Sequence, residues 1–161
     1  MHVSDINRVK RELGQLVKAE MDMRLVAEAA AALAEDQHPT CPRILETGLI
    51  VAYCRAFTKD GDGRNPVTAT MVPTADEDLH LHLVLFKLRD TVYAHSDETM
   101  ARGAFDPFGE HVYVEGYRPL RPEVLPQIVE LARKQQRQFR AAIEDRSRRL
   151  TGAGVPPDPS L

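Results

Sequence analysis

Tryptophan is absent from this chain of 161 residues, and all aromatics together make up only 6%. So small a stock of flat rings argues against base-stacking platforms for single-stranded nucleic acid. Cysteine is equally scarce. Cys41 and Cys54 show no C-x-x-C or C-x-x-H spacing and no disulfide framework, and they read as reduced thiols in or beside an apolar segment. Net charge is only −3, which excludes a wholesale basic nucleic-acid binder but leaves room for a local basic face. No apolar run reaches the ~18 residues of a membrane span. The opening Met1-His2-Val3-Ser4-Asp5 lacks both the basic and the apolar part of a signal peptide. These absences point to a cytoplasmic protein away from membranes. What is there, 43% hydrophobic and 28% charged residues, suits one globular domain. A chain this long buries about two-thirds of its unfolded surface and needs neither metal nor disulfide to fold.

The periodicity is helical. Ser4 is placed to cap a first helix in which Ile6, Val9, Leu13, Leu16 and Val17 recur at helical spacing. Met21, Leu25, Ala29, Ala32 and Leu33 continue it, as one long helix or two joined near Glu20. Pro42 opens a second helix whose apolar residues, from Ile44 to Cys54, cover almost every face, so burial all round is expected. Residues 58–73 show no period and are expected to form a functional or mobile loop. A third helix is expected over 74–94, capped by Thr74 or Asp76. Leu81, Leu85, Leu88 and Val92 form one stripe and Leu79, Leu83 and Phe86 a second, so the helix is expected to pack on two surfaces, one the domain core and the other a second subunit. Glycines and prolines break the pattern over 96–120, where His111 to Glu115 has strand composition and Asp106 to Gly109 can turn a small β-hairpin. A last helix begins near Pro122 and runs to about Leu150, with Ile128, Leu131, Phe139 and Ile143 inward. The expected fold is all-α: one domain over 1–150, an antiparallel four- to five-helix bundle with room for that hairpin between the last two helices, and a disordered tail over 151–161.

Most familiar chemistries fall away. The loop around Asp60 and Gly63 fails both calcium-loop registers, ending on Ala69 or Met71 where a bidentate glutamate is required. His80 and His82 diverge by about 200° on a helix and read as partly exposed or interface histidines, not zinc ligands. Serine-hydrolase and phosphate-loop motifs are missing, and no metal or cofactor is expected. Residues 133–149 carry seven basic residues, among them Arg133, Lys134, Arg137 and Arg140, against Glu144 and Asp145. Such a run fits contact with a polyanion, or a solvated helix face with cations near its C-terminus.

One constellation remains, in Leu88-Arg89-Asp90-Thr91-Val92-Tyr93-Ala94-His95-Ser96-Asp97. A guanidinium and an imidazole on an otherwise apolar helix need a reason, because an unpaired buried cation costs several kcal/mol. Six helical steps set Arg89 and His95 about 9 Å apart along the axis and about 120° apart around it. They can meet over one substrate atom only if the helix ends or bends near Tyr93. A symmetric pair of chains would bring two Arg–His sets into one cleft. The structural alternative is Arg89 paired with Asp90 or Asp97, and His95 capping backbone carbonyls.

These residues resemble the motif of the HEPN superfamily of helical nucleotide- and RNA-handling proteins: Arg, a polar residue, a few apolar residues, then His. The form over 88–97 is similar to the branch related to abortive-infection proteins of phage defence, and the helix ending at residues 51–59 resembles that branch too. The close resemblance covers residues 79–98. It does not extend to the Tyr that toxins paired with a nucleotidyltransferase antitoxin carry two residues after the His, where this chain has Asp97. The resemblance implies metal-independent endoribonuclease activity through 2′-hydroxyl attack, in a toxin or phage-defence effector. Arg89 would hold the phosphate, His95 would move protons, and Asp90 would orient either of them. Arg133, Lys134, Arg137 and Arg140 would contact the RNA backbone, and the partners implied are a second copy, RNA or a nucleotide, and an antitoxin protein. Other members of the superfamily are noncatalytic, which implies the alternative of a dimeric nucleotide- or RNA-binding or regulatory scaffold.

Overall fold

A computed structural model of the chain describes residues 2–35, 42–59, 66–90, 103–105, 112–114 and 120–154. Among these the protein is all-α in character, with four α-helices: α1 (Val3–Glu35), α2 (Pro42–Arg55), α3 (Asp76–Leu88) and α4 (Leu125–Gly152).

The two long helices carry the fold. Val9, Leu16, Met23 and Ala30 recur every seven residues along the buried side of α1. On α4, Leu125, Ala132 and Phe139 do the same, with Ile128 and Gln135 between them. Matching seven-residue seams let two helices stay in contact over many turns. They run antiparallel, since Glu12 of α1 meets Arg146 at 3.3 Å and Glu20 meets Arg140 at 2.7 Å. The main core, around Leu16, Met23, Ile50, Tyr53, Leu85, Ile128 and Phe139, lies where α2 and α3 join them. A smaller cluster of Val9, Leu13 and Leu150 closes the far end. Burying each large apolar side chain contributes roughly 1.5–3 kcal/mol.

Several expectations are corrected. Of the two alternatives for the first helix the structure takes one long helix, α1 being continuous for 33 residues. Ser4 lies inside the first turn instead of capping it, and the His2 carbonyl accepts from the N–H groups of Asp5 and Ile6. Helix α2 is not buried all round, because Ile44 (69% exposed), Gly48 and Val51 face outward while Glu46 is buried. Its composition could not reveal this, since α1 and α3 cover part of its surface and nothing described covers the rest. Glu46 is accounted for by a long-range bond, accepting from the Leu120 N–H at 2.9 Å. Helix α3 begins at Asp76, with Ala75 at the cap position and three carboxylates, Asp76, Glu77 and Asp78, in its positive first turn. Leu83 on its second stripe is exposed, as is Val84.

The segment expected to be loop is also more ordered than its period suggests. From Pro66 it forms a 3₁₀ turn, Val67–Thr70, pinned to two helices. The Val67 N–H donates to Gln15 Oε1 at 3.1 Å, and the buried Thr68 hydroxyl donates to the Ala56 carbonyl. Residues 60–65 lie outside the described residues. Gly103–Phe105 (β1) and Val112–Val114 (β2) pair antiparallel, Ala104 opposite Tyr113. The expected turn at Asp106 to Gly109 falls outside the described residues. Helix α4 starts from a 3₁₀ turn at Pro122–Val124 and passes the expected boundary at 150, taking in Thr151 and Gly152. No helix among the described residues is long and apolar enough to cross a membrane.

Candidate functional site

Regular α-helix ends at Leu88, and Arg89 with Asp90 continues it as a wider turn. The Arg89 N–H points back to the Leu85 and Phe86 carbonyls, so the backbone under the guanidinium is fixed. The guanidinium carbon lies 4.7 Å from the centre of the Phe86 ring, a cation–π arrangement. Nε and Nη2 both approach Asp90 Oδ1, at 2.8 and 2.6 Å. On the other edge Nη1 donates to Thr58 Oγ1 at 2.8 Å, and that hydroxyl donates in turn to the Cys54 carbonyl at 2.7 Å. Arg89 is thus clamped from three sides yet keeps 24% of its side chain exposed, beside a half-exposed Asp90.

The structure therefore brings Arg89 and Asp90 together, in the pairing weighed as the structural alternative. His95 and Asp97 lie outside the described residues. Thr58 and Phe86 complete the clamp. Phe86 could have been suspected as the residue one turn before Arg89; nothing local marks Thr58, which is 31 residues away.

Beneath Phe86 runs a buried polar and aromatic cluster. The Tyr53 hydroxyl is 3.0 Å from His82 Nδ1. The His82 ring packs edge-on to Phe57 and lies 4.7 Å, centre to centre, from Phe86. Burial holds His82 below its ordinary pKa and pushes the Tyr53 hydroxyl far above its usual range, so a neutral imidazole and a protonated phenol share this hydrogen bond. His82 is therefore neither partly exposed nor at an interface; His80 on the same helix is exposed. Burial also pushes the Cys54 thiol up to about 12, with Arg89 pulling the other way, and its S–H faces the Leu85 carbonyl at 3.6 Å. Cys54 is a thiol at neutral pH, not a nucleophile. Cys41 lies outside the described residues.

The basic run on α4 is tied into the fold. Lys134 reaches both carboxylate oxygens of Asp78, at 3.1 and 3.0 Å, joining α4 to α3. Arg140 and Arg146 bridge to Glu20 and Glu12 of α1, and Arg137 pairs with Glu130 on its own helix at 3.3 Å. Of the four residues expected at RNA, only Arg133 has no acidic partner among the described residues.

A second concavity was not anticipated. An open groove of about 750 Å³ runs along α1 past Arg11, Gly14, Lys18 and Leu25, walled by Arg55 and Thr58 from the end of α2. Its one carboxylate, the buried Asp22, is held by Arg55, whose Nε donates to Oδ2 at 3.0 Å. Among the described residues no three His, Cys, Asp or Glu side chains gather as a metal site.

No family model matches the chain, and no curated protein or solved structure does either.

Proposed function

We propose that this protein is an HEPN-like endoribonuclease, acting without metal, with Arg89 and His95 as its catalytic pair. One observation carries the reading. Arg89, in the last described turn of α3, is held by Phe86, Asp90 and Thr58 with part of its side chain still exposed. A phosphodiester can take its outer edge by displacing Asp90, itself half exposed, as the partner of the guanidinium. Arg89 then neutralises the pentavalent phosphate. His95 accepts the 2′-hydroxyl proton as the 2′-oxygen attacks phosphorus. The P–O5′ bond breaks and the 5′-oxygen takes a proton, leaving a cyclic phosphate and a 5′-hydroxyl. A homodimer would supply a second imidazole for that last transfer. In this reading the helices form the antiparallel bundle of that family, with β1 and β2 as a hairpin between the last two. The protein acts in the cytoplasm as a toxin or phage-defence effector checked by an antitoxin. Arg133, with Arg137 freed from its exposed pair, contacts the RNA backbone beside Lys134 and Arg140.

A second reading, a noncatalytic dimeric RNA- or nucleotide-binding or regulatory scaffold, is favoured by a different fact: every guanidinium nitrogen of Arg89 already has a partner in the chain. RNA digestion in EDTA separates the two. The nuclease produces cyclic-phosphate ends, and Arg89→Ala and His95→Ala each slow it by about 100-fold or more. Intact RNA with the wild-type protein, or cleavage that survives both substitutions, overturns the nuclease reading.

A further inference from the structure

Of the exposed charges that have no ion-pair partner among the described residues, two line the groove on α1 and two open α3. On α1, Arg11 and Lys18 are exposed and meet no carboxylate among the described residues; on α3, Asp76 and Glu77 are exposed and meet no cation there. Each set shares its helix with exposed apolar residues. Met21 and Leu25 of α1 are both 48% exposed, and Leu83 and Val84 of α3 are 57% and 36% exposed. Lys18 to Leu25 and Glu77 to Val84 are both steps of seven residues. Two turns of helix therefore place charge and apolar surface on one face, about 10 Å apart, on each helix.

We infer that the groove along α1 receives α3 of a second copy of this chain. The two helices lie parallel, with Glu77 against Lys18 and Val84 on Leu25, each pair seven residues along its own helix, and Leu83 and Met21 beside them. The signs are opposite and the order along both helices is the same. The groove floor is clear: a Cβ built on Gly14 meets nothing within 4 Å. A chain cannot make this contact with itself, because Asp78 and Lys134 hold its own α3 against α4. A nucleic acid fits less well. The groove offers no aromatic ring for a base, and a polyanion would leave its apolar half uncovered. Groove and helix are different surfaces, so the contact is head-to-tail, unlike a two-fold pairing. Apolar burial supplies most of the affinity, and the charges set orientation and register. The inference uses neither Arg89 nor His95 and stands apart from the ribonuclease reading.

Sedimentation of the intact protein tests it. The weight-average mass rises above the 18.0 kDa monomer as concentration increases, over about 10 μM to 1 mM for a contact this small. A groove variant, Lys18→Glu with Met21→Glu, and a helix variant, Glu77→Lys with Leu83→Lys, alter exposed residues only and keep the wild-type circular dichroism and melting midpoint. Each variant alone keeps a constant mass over that range, that of the monomer or of a two-fold dimer joined elsewhere. Mixed in equal amounts they associate again, because one retains the helix and the other the groove. Wild-type mass that does not rise up to about 1 mM, either variant associating like wild type, or a mixture whose mass does not rise overturns the proposal. So does a monomeric wild type that binds a single-stranded oligoribonucleotide through the groove residues, which assigns the groove to nucleic acid.

Discussion

His82 makes the stability of this fold depend on pH in a calculable way. The ring is buried between Phe57 and Phe86, with its Nδ1 facing the Tyr53 hydroxyl. The nearest acid along its helix, Asp78, is already engaged by Lys134. Desolvation lowers the folded-state pKa of His82 below the ordinary 6.5. The unfolded chain therefore binds the proton more readily, and stability rises with pH. The contribution is neutral above the unfolded value and becomes a cost as pH falls through it. Stability drops by about 1.4 kcal/mol per pH unit until the folded-state value is reached. Protonation puts a hydrogen on both ring nitrogens, so in the charged form Nδ1 can only donate to the Tyr53 oxygen.

The assay is urea unfolding of wild type and His82→Gln from pH 8 to 5, read as the difference between the two at each pH. Other titrating groups cancel in that difference, and glutamine keeps an acceptor for Tyr53. The difference should be flat above about pH 6.5 and then move against the wild type by up to about 1.4 kcal/mol per unit below it. Parallel curves over the whole range would refute the assignment of a buried neutral imidazole.

Two further perturbations follow from particular contacts. Arg55→Met leaves the buried Asp22 carboxylate without its partner and should cost about 2–4 kcal/mol, whereas Asp22→Leu combined with Arg55→Met should recover most of that loss; chemical denaturation of the single and double variants checks it, and equal costs would show that Asp22 is solvated. In a Cys41→Ser chain, Cys54, with its thiol pushed up to about 12 and its S–H on the Leu85 carbonyl, should react with iodoacetamide at pH 8 only as the protein unfolds; labelling followed by mass spectrometry should show modification rising with urea, and rapid labelling without denaturant would contradict the packing of α2 on α3.

How much of this was legible in the sequence depended on how far apart the interacting residues lie. The buried seams of α1 and α4 repeat within a few residues, and the pattern of Leu13, Leu16 and Ile128 is visible in any short window. Arg89 and Asp90 are neighbours, and their pairing could be anticipated. The clamp from Thr58 could not, because it depends on α2 ending where α3 ends. His82 looked like an exposed histidine for the same reason: its hydrogen bond exists only once Tyr53, 29 residues earlier, packs against it. Exposure of Ile44 and Val51 likewise reflects which neighbours α2 acquires, not what it is made of.

Charge shows the principle most clearly. Read along the chain, residues 133–149 look like a free basic patch and the charges of α1 look ordinary. In three dimensions the acids that neutralise much of that patch come from α1 and α3, up to 134 residues away. Glu12, Glu20 and Asp78 are consumed in holding the helices together. Those left over include Lys18 on α1 and Glu77 on α3, both unremarkable in sequence. A residue's availability to an outside partner is what remains after the fold has taken its share, and these two have opposite signs at the same seven-residue step from exposed apolar residues, Leu25 and Val84.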